Sequence, residues 1–240
     1  MASQSETGHN KNVANYSAAI QILQEMGDLY NPSNKNLKLT ALSPIKTELS
    51  GVISILNQKK PVYKNAVVAR ETEIALLGII VTQALNHAKS TTITATDKEN
   101  LENQARKIRG DVKPKKINPD TADGDTISTS QMSYDSRIAN FDTYISQLAS
   151  YPEYKPNETP VQIVSLKACH QRLSALNTTV NSAGYALITA RKKRNEILYS
   201  NSINVIELIK EIKFYLKSLG SEGVPYYKAL VKLKFTDLPK

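Results

Sequence analysis

The 240-residue chain has one cysteine, no tryptophan, three phenylalanines and nine glycines. A single cysteine, Cys169, excludes an internal disulfide and a thiolate zinc cluster. So few glycines and large aromatics fit poorly with an all-β chain. The longest apolar run, residues 75–81, is far short of the ~20 residues that a spanning helix needs, so no transmembrane segment is expected. The opening Met1-Ala2-Ser3-Gln4 stretch has neither a basic region nor an apolar one, so no Sec signal is visible and the cytoplasm is the expected address. No glycine-rich phosphate loop and no paired His-x-x-x-His occur, and the three histidines are scattered at 9, 87 and 170. No cofactor or metal is therefore expected. Nothing assembles a nucleophile, a base and a group to orient it, so the chain is not expected to be an enzyme and no residue is assigned to catalysis.

What is present is heptads. Leu42, Ile45, Leu49, Val52, Leu56, Tyr63, Ala66, Arg70, Leu77 and Ile80 keep the three–four spacing of a helical seam. The pattern returns 124 residues later through Leu166, Cys169, Leu173, Leu176, Val180, Ala183, Leu187, Ala190, Arg194 and Ile197. Upstream, the face Val13, Tyr16, Ile20, Leu23 is matched by Ile138, Phe141, Ile145, Leu148 at an offset of 125. Both copies then reach Tyr-x-Pro, at 30–32 and 154–156. The reading is an all-α protein, an elongated helical bundle or coiled coil of two pseudo-symmetric repeats, 1–110 and 128–240, joined by a linker at 111–127. Unbroken heptad phase favours one long helix in each copy, kinked near Pro61 in the first and passing Gly184 in the second. Expected caps are Asn34 or Asn36, Asp97, Thr159 followed by Pro160, and Ser202, with Gly110 and Gly220 as stops. Pro225 should restart the last helix.

The linker carries Pro114, Pro119, Gly124 and four aspartates. Its Asp120–Asp125 stretch fails as an EF-hand, because no register supplies both the first ligand and the closing glutamate. Cys169 falls on the seam and reads as a core thiol. His87 reads as a core or edge histidine. Glu71 and Glu73 read as partners of Arg70.

Arg70 and Arg194 are the sharpest polar feature, since each takes an otherwise apolar seam position at the same point of its copy. A guanidinium there needs a carboxylate or carbonyls, and a polar layer fixing register between the copies is the role assigned. Net charge is +9, and residues 191–240 hold eleven basic against five acidic residues. Arg191, Lys192, Lys193, Lys210, Lys213 and Lys217 form the candidate basic patch. It lacks interleaved aromatics for base stacking, and no nucleic-acid-binding motif accompanies it.

The segments Ser5–His9, Tyr30–Asn34, Ala69–Glu71, Ser130–Asp142, Arg194–Tyr199 and Leu233–Thr236 resemble a family of uncharacterised bacterial proteins of Bacteroidetes-type organisms. The resemblance covers nearly the whole chain and implies no activity. Pro44 and the ending Asp237–Lys240 depart from it. The function expected first is a non-enzymatic structural protein that assembles with itself. The alternatives are a nucleic-acid-associated basic protein and, after it, a membrane-active helical one.

Overall fold

The computed structural model describes residues 4–110 and 133–237, with side chains from residue 8 onward; the linker read at 111–127 lies outside them. The described residues form helices and no strand: α1 Gln4–Glu25, α2 Leu39–Ser90, α3 Ala95–Arg109, α4 Tyr134–Ala149, α5 Ile163–Asn195, α6 Val205–Ser218 and α7 Val224–Lys232. The fold is all-α.

Element starts recur at the sequence offset. Short 3-10 turns at Lys35–Leu37 and Thr159–Val161 are 124 apart, as are the first residues of α2 and α5. Each turn is pinned by the Tyr-x-Pro tyrosine: Tyr30 donates to the Leu37 carbonyl at 2.7 Å and Tyr154 to the Val161 carbonyl at 2.8 Å.

α2 runs unbroken for 52 residues with Pro44 and Pro61 inside it. Each proline removes a helix hydrogen bond to the carbonyl four residues back, at Thr40 and Asn57. All four residues are exposed, so water can take those carbonyls and the helix survives. α5 likewise passes Gly184 without a stop. The long-helix reading therefore holds at both places.

Several caps differ from expectation. Asn34 caps the 3-10 turn, accepting from the Asn36 amide at 3.0 Å, and not α2 itself. Thr159 and Pro160 sit inside the second 3-10 turn, and an extended Gln162 separates them from α5. Thr94 rather than Asp97 caps α3: its hydroxyl accepts from the Asp97 amide at 3.2 Å and meets the Asp97 carboxylate at 2.6 Å. The Thr94 hydroxyl thereby takes one of the open amides of the first turn while giving its own proton to the Asp97 carboxylate. Asn204, buried, displaces Ser202 as the cap of α6, accepting from the Glu207 amide at 3.0 Å. Gly110 ends α3 in the left-handed region, where a side chain would be strained, and Pro225 lies in the first turn of α7.

The chain divides into two compact units, residues 1–62 with 184–240, and residues 63–183. The divisions fall within α2 and α5, beside Pro61 and Gly184. The units thus cut the chain along different lines from the repeats expected at 1–110 and 128–240, each taking the opening of one and the end of the other. Each has its own core. In the first unit Tyr16, Ile20 and Leu23 of α1 meet Leu42, Leu49 and Leu56 of α2, with Leu208, Ile212 and Leu216 of α6. In the second, Leu77, Val81 and Leu85 of α2 meet Leu101 and Ile108 of α3, Phe141, Ile145 and Leu148 of α4, and Leu166, Cys169 and Leu173 of α5. Burying each such leucine or isoleucine contributes about 1.5–3 kcal/mol. Inside the second unit α2 and α5 run antiparallel, with Arg70 level with Asn177 and Glu73 level with Arg172.

Candidate functional site: two arginine corners

Arg194 lies in the last turn of α5 and is 2% exposed. Its Nε and Nη2 donate to the Asn195 side-chain oxygen at 3.1 and 3.0 Å. A π-turn, Glu196–Ser200, follows at once, and Ile197, Leu198 and Tyr199 are all buried in it. The Tyr199 hydroxyl accepts from Asn12 Nδ2 at 3.0 Å and stands 2.9 Å from His9 Nδ1. Burial pushes the Tyr199 hydroxyl above its ordinary pKa, against the Asn12 bond and the Arg194 charge, which both pull it down.

Asn12 also straps the end of the chain. Its Nδ2 donates to the Thr236 carbonyl at 2.7 Å, and its oxygen accepts from the Thr236 amide at 3.0 Å. Asn15 adds a bond to the Lys234 carbonyl at 2.7 Å. Beside this corner an open groove of about 430 Å³ is lined by Ile188, Arg191, Lys192 and the π-turn residues Glu196, Tyr199 and Ser200.

The corresponding corner of the second unit is built around Arg70, which is half-buried. Its guanidinium carbon lies 3.8 Å over the Tyr134 ring centroid, and Nη1 donates to Asn177 at 2.9 Å. Asn177 passes the contact on, donating to Asp135 at 2.5 Å. The carboxylate reaches Arg70 through an amide. Glu71 and Glu73 are not its partners: Glu73 binds Arg172 at 3.1 Å and meets the Cys169 thiol at 3.9 Å, and Glu71 lines a groove. Glu71, one position on, points away from Arg70, and Glu73, one turn on, is taken by Arg172 of α5 instead. The groove, about 440 Å³, has Ile74, Ala75, Gly78 and Ile79 for its floor and Arg109, Arg137 and Tyr134 for its wall. Arg137 Nε donates to the Ile108 carbonyl at 2.6 Å, and Arg109 Nη1 to Thr82 at 3.2 Å.

Arg70 and Arg194 thus belong to different units, each with its own amide and aromatic neighbours. The basic patch lies in the first unit, and its charges are largely engaged. Lys193 meets Glu48 at 2.7 Å, Lys210 meets Glu207 at 2.8 Å, Lys192 stands 4.0 Å from Glu196, and Lys217 lies over the Tyr227 ring at 5.0 Å. Lys213 and Arg191 are half-buried. Hydrogen bonding to their glutamates raises the pKa of Lys193 and of Lys210.

Cys169 is buried, and burial foremost, then the Glu73 charge, pushes its thiol up, away from the reactive thiolate. His87 sits at the core edge, edge-on to Tyr154 and 3.8 Å from Glu158. No group of three or more metal-ligating side chains occurs among the described residues. No helix among them is long and apolar enough to cross a membrane.

Sequence reasoning found the two arginines but not Asn12, Asn177, Tyr134 or Tyr199 as their company. His9, Arg194–Tyr199 and Leu233–Thr236 converge on one corner, and Ala69–Glu71 with Tyr134–Arg137 on the other. No protein-family model, no curated protein and no solved structure matches the chain.

Proposed function

We propose that the protein is a non-enzymatic structural protein that associates with further copies of itself. The observation that carries this reading is large apolar side chains left in water at helical spacing. In the first unit Tyr185 and Ile188, one turn apart on α5, are 72% and 59% exposed, and Ile55 and Val62 repeat at a heptad on α2. In the second unit Val68, Leu76 and Ile79 lie exposed on α2. Single exposed apolar residues are ordinary, but aligned ones on a helix face mark an interaction surface. The recurrence of element starts at 124 residues supports a chain with two related halves, and such a chain can present related surfaces to its neighbours. The ion pairs that occupy Lys193 and Lys210 weigh against the nucleic-acid alternative.

Sedimentation velocity over a wide concentration range tests the reading. Association is expected to persist in high salt, because apolar burial is not screened, and to be lost in Tyr185→Ser/Ile188→Ser. A monomer at every concentration would overturn it. So would tight, steeply salt-dependent DNA binding that disappears when Lys192, Lys193, Lys210, Lys213 and Lys217 become Gln.

A further inference from the structure

We infer that the first unit pairs with a second copy of the chain through the outer face of α5, antiparallel about a two-fold axis, each copy seating its Tyr185 in the groove of the other. The inference rests on the self-association proposed above and names the face that carries it. At 3.6 residues per turn, Tyr185, Ile188, Thr189, Lys192 and Glu196 share one side of α5 and the π-turn that extends it. Leu187, Ala190 and Arg194, all buried, take the opposite side. The outer side thus carries a knob, the exposed Tyr185 ring. One to three turns on it carries a hole, the groove of about 430 Å³ lined by Ile188, Lys192, Glu196 and Tyr199.

The knob cannot fill its own hole. Side chains on a helix lean toward its N-terminus, and the groove lies on the C-terminal side of Tyr185. An antiparallel copy reverses that lean. With the axis passing between Ile188 and Thr189, Tyr185 of one copy stands opposite Lys192 of the other, and its ring leans toward Glu196 and Tyr199. A parallel pairing would turn each ring away from the groove. The chemistry of the groove suits a phenol. The Lys192 side chain is 77% exposed and stands 4.0 Å from Glu196, so its ammonium can lie over the ring face. The Glu196 carboxylate can accept a hydrogen bond from the ring hydroxyl, and Ile188 gives an apolar wall. The same patch serves both copies, so the contact closes at two. A single helix pair lies at the small end of specific interfaces, and a dissociation constant on the order of 10 µM is expected.

The test is disulfide trapping in the intact chain. Thr189→Cys places a thiol beside the axis and alters neither knob nor groove, and helices paired there bring the two thiols within disulfide reach. Val164→Cys, 78% exposed on the same helix, is the control, and the native Cys169 is buried. Under mild oxidation Thr189→Cys should link into dimers about tenfold faster or more than Val164→Cys, because pairing raises the local thiol concentration. Adding Tyr185→Ala should cut that rate about tenfold, the loss of an aromatic anchor, and adding Lys192→Gln should cut it less. Circular dichroism checks that each variant is folded. Linking at equal rates in the two cysteine variants, or a rate untouched by Tyr185→Ala, would overturn the inference. If Thr189→Cys stays unlinked while sedimentation shows association, the two-fold pairing is wrong and self-association stands through another face. A monomer at every concentration would overturn both.

Discussion

Arg70 and Arg194 stand 124 residues apart, each on a long helix, and their surroundings diverge within one turn. Arg194 is sealed beneath a π-turn, with Tyr199 hydrogen-bonded to α1 nearby and the chain end bound alongside by Asn12 and Asn15. Arg70 is half-buried, stacked on Tyr134, and next to an open groove. The difference begins at residue 196, where α5 gives way to a π-turn and then a break at Ser200–Asn201–Ser202, while α2 continues as α-helix through the stretch 124 residues earlier. A π-turn shifts the helical phase of everything after it, and here it accompanies an aromatic side chain buried beside a charge. Without that turn the residue 124 positions before Tyr199 is a small, exposed one, Ala75, beside the open groove. One irregular turn thus separates a closed structural corner from an open one.

The largest effect that would break this contrast is Tyr199→Ala. It removes a buried ring and leaves His9 and Asn12 each short of a partner, so urea unfolding should show a loss of about 3–5 kcal/mol. A loss no greater than that of an exposed tyrosine such as Tyr63→Ala would mean that Tyr199 does not close the corner.

Alkaline pH should act on both units alike. Burial raises the pKa of Tyr16 and Tyr30 in the first and of Tyr144 and Tyr154 in the second above the ordinary value. The folded state then holds protons that the unfolded state gives up above about pH 10, so stability is fully present below that pH and falls as pH rises through it. A urea midpoint that stays level as pH rises through this range would contradict that burial. Asn12→Ala should have a smaller effect, about 1 kcal/mol for each net bond lost. Its sharper signature is faster amide exchange at Thr236, whose N–H loses its acceptor; unchanged exchange there would show that the strap does not hold the chain end.

Much of the fold was legible in the sequence because heptad spacing reports burial directly. Leu42, Leu49, Leu56, Leu77, Leu166, Leu173 and Leu187 are all buried where the seam placed them, as are Ile138, Phe141, Ile145 and Leu148, the face read for α4. Tyr63, assigned to the same seam, is exposed, since it lies at the passage from one core to the other. Caps were less legible: Thr94 outcompetes Asp97 by geometry three residues away, which composition does not reveal. The division into units was hidden for another reason. A helix that serves two cores keeps a single heptad phase, and nothing in that phase marks where one core ends. For the arginine corners the sequence named the charges, while the side chains around them come from distant elements: Asn177 of α5 and Tyr134 of α4 at Arg70, and His9 and Asn12 of α1 on Tyr199 beside Arg194.

The central claim is that two arginines at equivalent positions occupy unequal corners, and paired truncation tests it most directly. Urea unfolding of Arg194→Ala and Arg70→Ala should separate the two. The sealed side chain should cost about 3–4 kcal/mol and the half-buried one about 1–2 kcal/mol. Equal losses, or a larger loss for Arg70→Ala, would contradict the account.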